Sequence, residues 1–280
     1  LLRKNICQNS NKGKLGYFCS NQDIVLDYNN IKDLLDNRYE RYNSIGFIDD
    51  DPIQIPHRYN LKEDIEIAGF LTAIISWGKR KIIIRNAGQL MSLLDDVPYE
   101  FMMFANGKDF ERFGRFVHRT FNANDCLFLV RSLSEIYREN KSLYSIFMDG
   151  YNERNSVRDA LSGLRNMILS GSHEPRFRKH IPDVMNGSAA KRLNMFLRWM
   201  VRRDNNGVDF GIWTGIRPAD LFIPLDVHTG NVSRKLGLLL RKQNDWSAVE
   251  ELTDILREMD PADPVKYDFA LFGLGIEESF

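Results

Sequence analysis

The sequence predicts a mainly α-helical protein, on three observations. Long apolar segments recur at helical spacing, capping residues precede several of them, and strand alternation is convincing only in "GRFVHRTF", 114–121. With 280 residues and 43% hydrophobic content, the chain has ample material for a sizeable core. Residues 1–28 are polar and aperiodic and read as a disordered extension. Order is expected from about Asn29, where Ile31, Leu34, Leu35, Tyr39 and Tyr42 share a helix face; "DDPIQIPHRYN" then reads as an extended, proline-punctuated loop. From Leu61 onward, "EDIEIAGFLTAII" is apolar almost all round, as in a buried helix, and "SWGKRK" at 76–81 breaks it before a second helix.

Ser156 opens a helix with Val157, Leu161, Leu164 and Ile168 on one face. Ser188 is the expected cap of the next, whose stripe is Ala189, Ala190, Leu193, Phe196, Leu197, Met200 and Val201, so that Lys191 falls at the third helical position. Asp226 caps a helix from Val227 to about Leu236, closed by Gly237. Ser247 and Glu250 form a capping box, and Asp263-Pro264 begins the last helix. The terminal helices are too few for a core of their own. Two lobes with a cleft between them are therefore expected, one from 29–60 plus 226–280 and one from 61–225.

The composition excludes several classes of function. No run is long and apolar enough for a membrane span, the first residues lack a signal peptide's apolar stretch, and a cytoplasmic protein is expected. Three cysteines cannot supply a four-thiolate cluster, and five scattered histidines make no zinc motif, so neither metal nor other cofactor is expected. Cys7, Cys19 and Cys126 are expected as reduced thiols. Net charge is zero, but Arg176 to Arg203 carries eight Lys or Arg against Asp183 alone. Such a basic stretch suits phosphate.

Two residues carry the chemical argument. Lys191 stands at the positive end of its helix beside Arg192, where the macrodipole and the like charge both disfavour a further positive charge, and such an amine can become a nucleophile. Its plain alternative is a solvated lysine or a phosphate contact. Asp226 is an ideal cap, yet a carboxylate held by backbone amides is also a fixed negative charge suited to stabilising a cation. Arg198 and Arg202, on roughly the same helix side, suit phosphate oxygens.

Lys191 together with "PLDVH", 224–228, resembles the catalytic pair of the helix-hairpin-helix DNA glycosylases, nearest to the archaeal branch of the 8-oxoguanine DNA glycosylases. "YDFALFGLG", 267–275, is similar to their late helix, and "FLTAIISWGKRK", 70–81, to the early helix and turn at the lesion. The chain from about Leu34 also resembles a bacterial family of uncharacterised conserved hypotheticals. The resemblance implies a two-lobed helical fold, and a base-excision enzyme that flips an oxidised purine such as 8-oxoguanine out of double-stranded DNA. Lys191 would then be the nucleophile, with strand cleavage through a Schiff base as an accompanying activity, and Asp226 the stabiliser of the sugar cation. Asp268 would contact the base and Phe272 stack on it. His228 would orient Asp226 or touch phosphate, or lie plainly at the surface; Trp77 would stack on the base or fill the core. Gly187, Arg192, Arg198, Arg202, Lys79 and Arg80 would hold DNA, with the protein a monomer near the bacterial nucleoid. The hairpin "IPDVMNGSAAKR" has one glycine where those enzymes have more, which supports an alternative: a non-enzymatic nucleic-acid binding protein on the same scaffold.

Overall fold

The structure, a computed structural model, describes residues 28–139, 141–278 and 280. The expectations for the polar leader, Cys7 and Cys19 among them, lie outside the described residues. Among the described residues, eleven α-helices follow one another: α1 Tyr28–Tyr42, α2 Lys62–Ile74, α3 Arg80–Leu93, α4 Pro98–Phe104, α5 Ala123–Arg138, α6 Leu143–Arg154, α7 Val157–Ile168, α8 Lys191–Val201, α9 Val227–Lys235, α10 Trp246–Met259 and α11 Tyr267–Ile276. Among the described residues there is no strand, only isolated bridges between His118 and Phe121 and between Ser188 and Asp245. The expected strand at 114–121 is instead the end of a 3-10 segment, Asp109–Arg115, followed by a tight turn from His118 to Phe121 with Arg119 in the left-handed region at φ +56°. Likewise "DDPIQIPHRYN" is not extended. Its prolines start successive 3-10 turns, Pro52–Gln54 and Pro56–Arg58, because proline's fixed φ suits a first helical position.

Helix α2 is buried continuously from Ile65 to Ile74, as its uniform apolarity requires. It lies against α8 through an edge-to-face contact of Phe70 with Phe196, whose centroids are 5.3 Å apart. Gly69 permits this approach, since a Cβ there would stand 3.0 Å from the Met200 methyl. Buried Glu66, on the same helix, accepts from the Leu143 and Tyr144 amides at 2.9 and 3.2 Å and from Trp213 Nε1 at 2.7 Å. An acid in the core thus satisfies donors at the start of α6.

Apolar side chains form two clusters. The larger draws on α2 to α8 and reaches Trp246, Val265 and Phe269; the smaller joins Ile31 and Leu35 of α1 to Ile223, Leu225 and the inner faces of α9, α10 and α11. Gly273 lets α1 and α11 touch, because a Cβ at that position would overlap the Tyr42 ring. No helix among the described residues is long and apolar enough to cross a membrane. Cys126 is a buried free thiol.

Candidate functional site

Lys191 is the first residue of α8. Ser188 does not cap that helix; its hydroxyl accepts from the Ala190 amide at 3.3 Å, and Ala190 holds the cap position in the left-handed conformation at φ +46°. The amides of Leu193 and Asn194 turn back to the Ala190 carbonyl. Lys191 Nζ lies 3.4 Å from Met195 Sδ, one turn on.

Asp226 is the cap of α9, as its sequence implies, with Oδ1 accepting from the His228 and Thr229 amides at 2.9 and 3.0 Å. Asn244 donates to the Asp226 carbonyl at 3.0 Å and braces the turn from a separate loop. Gly237, at φ +74°, follows the helix as expected.

Lys191 and Asp226 line the same cavity of about 560 Å3, bounded also by Trp77, Arg80, Arg192, His228, Phe272 and Asp51. A smaller chamber of about 30 Å3, also lined by Lys191, Asp226 and Phe272, reaches inward to Asp268 and Arg198. The larger volume lies within the roughly 300–1,000 Å3 of small-molecule pockets. Aromatic rings wall it. Trp77, half-buried, meets the His118 ring edge-on at 4.8 Å and carries the Arg192 guanidinium at 4.9 Å, while Phe272 carries the Arg80 guanidinium at 4.7 Å.

The cations sort differently from their spacing. Arg198 and Arg202 are 3% and 1% exposed and so cannot serve as phosphate contacts. Arg198 pairs with Asp209 at 3.3 Å and Asp268 at 2.5 Å; Arg202 pairs with Asp204, Asp209 and Asp263 and donates to Tyr39 Oη at 2.7 Å. Burial opposes the charge on Arg198, but Asp209, Asp268 and Asp51 together raise its pKa above the ordinary value. The basic face of α8 is thus an internal ion network tying α1 to α11.

Arg192 is engaged as well, donating to the Ile74 carbonyl and, at 3.0 Å, to the His180 carbonyl. Burial lowers its pKa to about 10. Asp268 faces the inner chamber, but its carboxylate is bound by Arg198 rather than offered freely to a ligand. Burial pushes its pKa up to about 6, against the pull of Arg198 and Lys191.

The remaining expected contacts lie toward the surface. His228 is exposed at the cavity edge, and Lys79 is exposed at the start of α3. Arg80 is half-buried, 3.5 Å from Glu277. Gly187, at φ +83°, accepts from the Trp246 amide at 2.9 Å.

Four contributors are not evident in the sequence. Asp51 enters from the proline-punctuated segment, and its Asp-Pro pairing is the only local mark of a turn cap. Arg119 folds over Gly78, where a Cβ would lie 2.5 Å from its guanidinium. Buried His118 and His180 stand behind Trp77, the latter stacked at 6.0 Å. Among the described residues no group of three or more His, Cys, Asp or Glu gathers as a metal site.

Residues 51–277 match the family described as Protein of unknown function (DUF2400). The chain belongs to that family. Neither a curated protein nor a solved structure gives a significant match. The family's matched span takes in Asp51, Trp77, Lys191, Asp226 and Phe272, so every wall of the cavity named above falls within it.

Proposed function

We propose that the protein is a DNA base-excision glycosylase with an accompanying lyase step, acting on an oxidised purine such as 8-oxoguanine in double-stranded DNA. The observation that carries the reading is the shared cavity: an amine and a carboxylate from two different helices, Lys191 and Asp226, between the rings of Trp77 and Phe272. An extruded base needs aromatic faces to stack on, and its sugar needs a nucleophile beside a fixed negative charge. Two apolar clusters, with Lys191 at the start of α8 lining one cavity with Asp226 and Phe272 of the α9–α11 group, support the two-lobed arrangement of the helix-hairpin-helix glycosylases. In this reading Lys191 attacks the anomeric carbon while Asp226 stabilises the positive charge on the sugar.

Phosphate binding belongs to other residues than the α8 arginines. Lys79 and Arg119 are exposed beside Gly78, which lines the cavity, and their charges stand where a DNA backbone would pass if a base entered. The test is incubation of the protein with duplexes carrying 8-oxoguanine and other oxidised purines. Base release and a borohydride-trapped complex from the parent are expected. Their absence with every lesion, alongside retained duplex binding, would favour the non-enzymatic alternative.

A further inference from the structure

Asp51 is a carboxylate without a task in the reading above. It follows the 3-10 segment Ile45–Asp50 and caps Pro52–Gln54, its Oδ1 accepting from the Ile53 amide at 3.0 Å. A turn cap ordinarily sits in water, yet this residue is 8% exposed. It lines both the inner chamber and the larger cavity, beside Lys191, Asp226 and Phe272. Among the described residues, neither a hydrogen bond nor an ion pair engages its Oδ2. A carboxylate buried in this way is costly unless it is protonated or meets a partner from the cavity.

We infer that Asp51 is the proton donor to the departing base, an inference that rests on the glycosylase reading. As the bond from the sugar C1′ to the base nitrogen breaks, its electron pair goes to the base, and the Asp51 carboxyl proton follows it to a base ring atom. Lys191 Nζ forms the new bond to C1′, and a proton from the resulting ammonium passes through the Asp226 carboxylate to solvent. The Asp51 carboxylate regains a proton from water; cleavage of the C1′–O4′ bond then opens the sugar and leaves Lys191 as a Schiff base at C1′, and hydrolysis of that C=N bond by water frees the amine and restores the site. The two acids thus divide the labour, since Asp226 is fixed by two amides and Asp51 makes a single bond to one.

The surroundings permit the donor form. Burial raises the Asp51 pKa, although Arg198 and Lys191 of α8 and Arg80 of α3 pull it down. Arg198 is shared with Asp209 and Asp268, which weakens its hold on Asp51. Asp226 and Asp268, from α9 and α11, face the same chamber and add like charge.

The experiment compares the full chain with Asp51→Asn, whose amide oxygen can still accept from the Ile53 amide. One duplex carries 8-oxoguanine and a second carries an abasic site, which has no base to protonate but still requires Lys191 for trapping. In the variant, base release should fall by about 10²-fold, while trapping on abasic DNA stays within about threefold of the parent, since no general acid acts there. The parent's base release should decline as pH rises, a limb the variant lacks. Unchanged base release, or an equal loss of both reactions in a folded variant, overturns the inference and leaves the glycosylase reading standing. A parent that neither releases base nor traps either duplex overturns that reading and this inference together. Asp51→Ser, which also caps turns but donates no acidic proton, replaces asparagine in the same comparison should the first variant not fold.

Discussion

Asp226→Asn should separate stability from catalysis. The carboxylate's structural work is done by Oδ1, which accepts from the His228 and Thr229 amides at 2.9 and 3.0 Å, and an asparagine oxygen can take both bonds. Asparagine and aspartate are near-equal caps, so the folding cost should stay below about 0.5 kcal/mol. At about 2–4 °C per kcal/mol for a chain of this size, the melting point should move by less than about 2 °C. Asp226→Ala loses the cap itself, about 1 kcal/mol, and serves as the contrast. The missing negative charge matters only where positive charge develops on the sugar. Loss of one preorganised electrostatic group costs about 10²–10³ in rate, and that is the fall expected in single-turnover base release from an 8-oxoguanine duplex. Full base release by Asp226→Asn, or a melting point as low as that of Asp226→Ala, would refute the reasoning.

Further outcomes follow from other parts of the structure. Arg198→Ala strands Asp268 as a buried carboxylate, leaves Asp209 to Arg202 alone, and should cost about 3–5 kcal/mol in urea unfolding; a surface-like effect below about 0.5 kcal/mol would contradict the internal network. His180 is buried against Asp125, and burial lowers its pKa from 6.5 to about 4. Its neutral form therefore contributes stability that is complete above about pH 6.5 and is lost as pH falls toward 4. His180→Gln should flatten that part of the stability-versus-pH curve, and an unaltered slope would assign the acid sensitivity elsewhere. Gly273→Ala forces a methyl into the Tyr42 ring and should destabilise by about 1–3 kcal/mol, read by thermal melting. Replacing Lys79 and Arg119 together by alanine should reduce the salt slope of duplex binding by about two, close to 0.9 per phosphate contact, whereas an unchanged slope would move the DNA face.

Local signals in the sequence located the helices but not their surroundings. The Ser156 cap, the stripe of α7, and Asp226 with Gly237 are short-range features, and each lies where periodicity and capping chemistry put it, whereas the break expected at 76–81 ends earlier, since Arg80 and Lys81 already belong to α3. The α8 start differs by two residues, so that Lys191 is the first helical residue and not the third. Its cap is left-handed Ala190, a conformation no alanine advertises, and Ser188 is drawn into a turn just before it. The α10 cap likewise falls to Asp245, which accepts from the Ala248 amide, rather than to Ser247. Arg198 and Arg202 were the larger misreading. Four-residue spacing correctly put them on one face, but whether a basic face meets water or acids depends on distant residues, here Asp209, Asp263 and Asp268. Asp51 was hidden for a similar reason, since its importance arises from burial against α8 and α11 and not from its neighbours in "FIDDD".

The central claim is that Lys191 is a nucleophile facing a damaged nucleotide. Borohydride reduction of the parent with an 8-oxoguanine duplex, followed by mass spectrometry of the cross-linked peptide, tests it most directly. The account predicts a covalent adduct on Lys191, lost in Lys191→Gln while that variant melts with the parent, since an amide cannot form a Schiff base. An adduct on another lysine, or none from any oxidised-purine duplex, would contradict it.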